Sequence, residues 1–254
     1  MATQEFPIYY INLDSNTGRL ASIAAHLAAA GVTDAIRVPA FDGRNVDLTT
    51  AKDCDLSAAL RFMGRPLRGG EYGCYRSHLD CLERFCASGS RYAVVLEDDA
   101  LPPPGLVESV RQTIRHLEER DLRWDVVHLG PDRLKTFSPV ATLETGEALV
   151  RAYYFPMGTS ALLWSLEGAC RILKQHSVVT MPIDNLLREI MTQAGFGYAL
   201  WPPLIRTADA VSDIDGTGAK RKQMDRTLAY GWLKQRRLLK NKLAARHRKI
   251  EDRP

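Results

Sequence analysis

The stretch "YAVVLEDDA", Tyr92 to Ala100, decides the fold. Residues Tyr92 to Leu96 suit the middle of a sheet, and they run straight into Glu97, Asp98 and Asp99. Side chains alternate along a strand, so Glu97 and Asp99 share one side and Asp98 takes the other. Three ionised carboxylates at the mouth of an apolar strand raise one another's pKa unless a cation or hydrogen-bond donors offset them. A divalent metal would do so: Mg²⁺ or Mn²⁺ takes one or two carboxylates and leaves positions for substrate phosphates. The same acids could instead form a solvated turn. They could also sit at the N-terminus of a helix through "PPPGLVESV", where the dipole favours negative charge. The stretch alone leaves these options open.

Outward from it, strands and helices alternate. "PIYYINL" (7–13), "AIRVPAF" (35–41) and "WDVVHLG" (124–130) are short, buried-strand patterns like the first. Between them, Ser15 or Asn16 can cap a helix that Gly31 closes, and "EYGCYRSHLDCLERFCASG" predicts a helix stopped by Gly89. "PPPGLVESVRQTIRHLEER" predicts another, with prolines in its first turn. Residues 131–150 predict loops with a hairpin. A strand at "GTSALLWS", helices at "LEGACRILKQH" and "MPIDNLLREIMTQAG" and a last strand at "GYALWPPLI" complete the pattern. The fold class is α/β, a sheet with helices on both faces, gaining antiparallel strands in its second half. Ligands of such sheets sit beyond the carboxyl ends of the strands, which is where "EDD" falls.

The 254 residues are 45% hydrophobic and 25% charged, ordinary for a globular chain. No apolar run reaches eighteen residues, so no bilayer span is expected. "MATQEFPIYYINLD" lacks a basic n-region, and no signal peptide is expected. Five cysteines match no zinc or redox spacing and read as reduced, small core residues of a cytosolic protein. The charge is unevenly spread. Lys220 to Lys249 hold twelve Lys or Arg against one acid, Asp225; removing that +11 from the chain's +4 leaves −7 elsewhere. In the basic segment Leu228, Trp232, Leu239, Leu243 and Ile250 are spaced for one helical stripe. A basic amphipathic helix suits an anionic membrane surface, or it packs its stripe on its own domain. The acidic body carries no recognisable nucleic-acid motif, so no nucleic-acid partner is expected.

Further stretches narrow the choice. "YYINLDSNTGRL" (Tyr9 to Leu20), "AFDGR" (Ala40 to Arg44), "GEYGCYRSHLDCLERF" (Gly70 to Phe85) and "VVLEDDA" together resemble glycosyltransferase family 25. These are bacterial lipooligosaccharide galactosyltransferases with relatives that glycosylate collagen. "MGTSALLWSLEGA", "PIDNLL" and "SDI" (Ser212 to Ile214) extend the resemblance over roughly residues 6–215. It implies a GT-A type fold over 1–215: a Rossmann-like, nucleotide-sugar-binding half at about 1–130 and an acceptor-binding half at about 131–215. Residues 216–254 form a basic helical tail. It also implies that the acids hold Mn²⁺ or Mg²⁺ against a nucleotide-sugar diphosphate, whose growing negative charge a metal would stabilise. On that basis Asp99 is the principal metal ligand. Glu97 shares the metal or binds the ribose or a metal-bound water, and Asp98 assists at the sugar or orients the loop. The implied donor is UDP-galactose, with inversion at the anomeric carbon. The implied acceptor is a lipid-linked oligosaccharide of lipopolysaccharide or lipooligosaccharide. The expected location is cytoplasmic, peripheral on the inner face of the bacterial inner membrane.

The remaining candidates lie at strand ends and helix starts. Asn12 and Asp14 can hydrogen-bond a uracil or ribose and Arg19 can pair with a phosphate, although Asp14 can instead cap the next helix. Asp42 and Gly43 end the second strand, where the glycine either approaches a base or closes a turn. Gly70 and Gly73 permit close backbone approach at a helix N-terminus. Ser77 and His78 lie one turn in; His78 either bonds the sugar or diphosphate or orients the loop, and Glu71 can cap the helix. An inverting transfer needs a base for the acceptor hydroxyl. Asp184 is the candidate, with helix capping as its alternative role, and Asp213 is the runner-up, or a metal ligand. No third metal ligand is identifiable. Trp201 could stack on a sugar, while His128, His176 and His247 are placed outside the site. The alternative of a different class is a catalytically silent nucleotide-sugar-binding or scaffolding module; the intact "EDD" and Asp184 favour catalysis.

Overall fold

A computed structural model describes residues 6–208 and 226–252. Its centre is an eight-stranded mixed sheet in the order β2-β1-β3-β8-β5-β9-β7-β6. Three parallel strands form one side: β2 (Ile36–Pro39), β1 (Ile8–Asn12) and β3 (Tyr92–Glu97). Next comes β8 (Ala161–Ser165), antiparallel to both β3 and β5 (Val126–His128). β9 (Gly197–Trp201) runs parallel to β5, and the β6–β7 hairpin (Lys135–Thr142, Ala148–Tyr154) closes the far edge. A two-stranded sheet of β4 (Ala100–Leu101) and β10 (Arg206–Thr207), with no counterpart in the sequence reading, follows the acidic turn.

Alternation along the strands feeds two apolar cores. Tyr9, Ile11, Ala93 and Val95 face one side, where α3 (Gly69–Ala87), α5 (Leu166–Gln175) and α6 (Ile183–Ala194) pack. Ile8, Val94 and Leu96 face the other, under α1 (Thr17–Ala29) and α4 (Leu106–Glu119). Burying both faces requires helices on both, as expected. This is the mixed α/β arrangement expected, with an antiparallel strand inserted beside the acidic one.

Asn16 caps α1, its side chain accepting from Arg19 N–H, and Gly31 and Gly89 follow α1 and α3 with positive φ. A short helix, α2 (Leu56–Met63), was not anticipated; Asp55 caps it. The prolines do not enter α4. Gly105 precedes that helix at φ +89, so Pro102–Pro104 belong to the connection. The acids therefore lie outside the first turn of α4. Cys170 departs from the core expectation: it is exposed, with its Sγ 2.9 Å from Cys86 Sγ. The last helix, α7 (Tyr230–Glu251), lies against β6, β7, α6 and α2. No described helix is long and apolar enough to cross a membrane.

Candidate active site

Two adjoining cavities open at the carboxyl ends of β1, β2 and β3. The first is walled by Asn12, Arg19, Asp42, Gly43, Ser77, His78 and the three acids. The second is walled by Glu71, Asp132, Gly158, Thr159 and Asp184, and it shares Cys74, Glu97 and Asp99 with the first. Most sequence-predicted site residues are thus gathered in two connected spaces. Asp14 is not among the walls; it is exposed and ion-paired to Arg37 at 2.5 Å. Trp201 lines neither cavity. Asp213 lies outside the described residues.

The three carboxylates meet different environments, as the strand period requires. Glu97, on the α3 side, directs all its bonds to one oxygen. His78 Nε2 is 3.0 Å from Oε1 and the Thr159 hydroxyl donates to it at 2.5 Å, with Cys74 Sγ at 4.0 Å. Burial pushes the Glu97 carboxyl up, but His78, Thr159 and Arg19 outweigh burial and leave it below the ordinary value. Asp98, on the α1 side, has both oxygens engaged: Asn12 Nδ2 donates to Oδ2 at 2.7 Å and Arg19 donates to Oδ1 at 3.1 Å. Asp98 is therefore tied through both oxygens to the end of β1 and the start of α1.

Asp99 differs from both. Its Oδ1 is buried with no hydrogen-bond partner. Burial, then the charge of Glu97, push its carboxyl up to about 6. An orphaned buried carboxylate oxygen beside a second carboxylate is an unmet demand for positive charge, and a divalent cation meets it. Asp99 with Glu97 thus fits a metal. Cys74, His78 and Glu97 also bring potential ligand atoms within 4.8 Å of one another. They fit less well: burial holds the Cys74 thiol well above its usual range and so protonated, and His78 already bonds Glu97.

The other candidates divide into frame and wall. Asn12 is a buried junction, accepting from Arg37 while donating to Asp98 and to Asn16 O. Ser77 donates to Gly73 O and accepts from Phe41 N–H, tying the loop after β2 to α3. Gly43 neither closes a positive-φ turn nor stands off from the protein. A Cβ there would lie 2.0 Å from Gly69 O, and one on Gly73 2.4 Å from Phe41 O, so backbone packs on backbone. Asp42 is held down to about 2 by its Arg44 hydrogen bonds. Glu71 accepts from Arg68 N–H, completing a capping box, and pairs with Arg65.

Asp184 is in the first turn of α6, where Pro182 is the cap residue. Its Oδ1 accepts from the Asn185 backbone and side chain, and burial raises its pKa. Sequence reasoning missed Thr159, Asp132 and Arg37. Thr159 and Arg37 lay within quoted stretches, but their partners are distant: Glu97 is 62 positions from Thr159 and Asn12 is 25 from Arg37. His128 supports the second cavity from behind. Its Nδ1 accepts from Gly130 N–H, so Nε2 donates to Met157 and Gly158 carbonyls, and burial drives its pKa down to about 4.

Ligands of open α/β sheets bind beyond the carboxyl ends of the strands, which is where this carboxylate-lined double cavity opens. Residues 6–187 match the family described as Glycosyltransferase family 25 (LPS biosynthesis protein), and the chain belongs to that family. Procollagen galactosyltransferase 1 of Danio rerio is 28% identical over 127 residues, half of this chain and 21% of its own. Inactive glycosyltransferase 25 family member 3 of Mus musculus is 26% identical over 185 residues, 71% of this chain and 31% of its own. The chain spans less than a third of the length of these relatives. Among solved structures, an active-site mutant of LgtC aligns over 85% of this chain and 93% of its own, at 13% identity and TM-score 0.43.

Proposed function

We propose that the chain is a metal-dependent, inverting glycosyltransferase that moves galactose from UDP-galactose onto the growing sugar chain of lipopolysaccharide or lipooligosaccharide. The observation that carries this reading is Asp99, whose buried, unpartnered oxygen belongs to a carboxylate lining both cavities, one of which also holds Asp184. The family description supports the acceptor class, and the procollagen galactosyltransferase relative supports the sugar. The donor occupies the first cavity, beside Arg19 and the acids, and the acceptor enters the second. Asp99 and Glu97 hold Mn²⁺ or Mg²⁺, which when bound neutralises the charge building on the departing diphosphate. Asp184 takes the proton from the acceptor hydroxyl. That oxygen bonds the anomeric carbon from the face opposite the diphosphate, the carbon–oxygen bond to UDP breaks, and the configuration inverts. Burial makes Asp184 a stronger base than an exposed aspartate, as the task demands.

The test is incubation of the chain with UDP-galactose, Mn²⁺ and truncated lipooligosaccharide, following UDP release and the glycan product. Galactose transfer that EDTA abolishes is expected. Failure with every UDP-sugar and acceptor tried would place the chain with the silent relatives, as a nucleotide-sugar-binding module.

A further inference from the structure

The apolar stripe of α7 does not pack on the body; it points away from it. Trp232, Leu239, Leu243 and Ile250 are 55–64% exposed, and Leu228 ahead of the helix is fully exposed. The opposite face, which mixes small apolar and polar residues, makes the contacts. Asn241 and Ala245 are buried, Arg237 donates to Phe62 O, Arg248 donates to Gln193 O at 2.6 Å and Lys249 to Phe137 O at 2.8 Å. Lys240 pairs with Glu189, and at the helix end Asp252 accepts from Arg151 and Tyr153. Positions 232, 239, 243 and 250 fall within an arc of about 40° on a helix of 3.6 residues per turn. Exposed Arg236, Lys242 and Arg246 flank this line, with Arg236 stacked 5.4 Å from the Trp232 ring.

From this we infer that the outer face of α7 is a docking surface for an anionic lipid bilayer. An apolar line with an aromatic, bordered by long cationic side chains, matches the acyl boundary and the phosphate layer above it. Charge complementarity selects that occupant over a second copy, whose facing helix would bring the same cations together. A nucleic acid would leave the apolar line unmatched. The helix is fastened by its inner face, so the body is held at a fixed orientation to the surface. Thr227 N–H and hydroxyl both donate to Gly64 O at 2.9 Å, and the neighbouring Arg65 holds Glu71, a wall of the second cavity. The surface therefore adjoins the side of the cleft assigned to the acceptor. The inference stands whether or not the body transfers a sugar.

The test is sedimentation of the full chain with vesicles of phosphatidylcholine alone or mixed with phosphatidylglycerol. Binding only to the mixed vesicles, weakening with salt, is expected. Replacing Trp232, Leu239 and Leu243 by Ser should weaken it on the order of 100-fold with an unchanged circular dichroism spectrum, because these side chains are more than half exposed and belong to no apolar core. A separate variant, Arg236→Gln with Lys242→Gln and Arg246→Gln, should lose at least about tenfold and most of the salt dependence. No binding by the unaltered chain, or equal binding by either variant, would overturn the assignment. So would light scattering that shows a dimer which the Ser substitutions dissolve.

Discussion

Buried His78 and half-buried Glu97 form a pair, Nε2 to Oε1 at 3.0 Å, in which a side chain of α3 reaches the end of β3. The bond lowers the pKa of a carboxyl that burial alone would raise. His78→Ala would leave Thr159 as its main remaining donor. Loss of about 1–3 kcal/mol in urea unfolding is expected, since a buried acceptor loses its partner. Glu97 would titrate at higher pH, moving the acid limb of turnover upward. An unchanged limb would show that Glu97 does not act in its ionised form.

Asp99 has the opposite balance, and its sign is informative. Its carboxyl is raised from 3.8 to about 6, so the folded chain holds a proton that the unfolded chain releases over that window. Stability is fully present below about 4 and is lost as pH rises through about 6, leaving at pH 7 a cost of about 3 kcal/mol. Asp99→Asn should therefore raise the metal-free melting temperature at pH 7 while abolishing metal-dependent turnover. Protons and metal compete for the same oxygens, so Mn²⁺ affinity by calorimetry should fall about tenfold between pH 7 and pH 5. A variant that is no more stable, or a pH-independent affinity, would remove Asp99 from the metal position.

Local pattern made much of this legible. The two-residue period alone separates Glu97 from Asp98, and the structure places them against α3 and α1 as that period requires. Illegible were the partners. Nothing near Asp98 in sequence announces that Asn12 and Arg19 consume both its oxygens, leaving Asp99 as the unpaired acid. Gly43 reads as a base contact or a turn and Gly73 as a point of close backbone approach, but what approaches them is the chain's own backbone at Gly69 and Phe41. For α7 the spacing revealed the stripe but not its direction, because the anchoring face mixes Ala245 with Arg237, Asn241, Arg248 and Lys249, residues that a hydrophobic pattern assigns to solvent.

Asp184 offers the most direct test of the chemistry. It touches neither Asp98 nor the donor-side frame, and its carboxylate lines the second cavity with Asp99. Asp184→Asn keeps the shape and the capacity to accept from Asn185 while removing the basic site. Turnover should fall about 10²–10⁴-fold, the usual contribution of a general base, with UDP-galactose affinity unchanged in calorimetry. Because burial raises its pKa, the acid limb of the rate should lie above the ordinary aspartate value of 3.8. Asp99 also titrates on this side, and saturating Mn²⁺ separates the two. With the metal site filled, the limb that remains belongs to Asp184, and the Asn variant should flatten it. Loss of donor affinity in that variant, with the limb intact, would make Asp184 a binding residue and return the search for the base to the acids of the second cavity, Asp132 first.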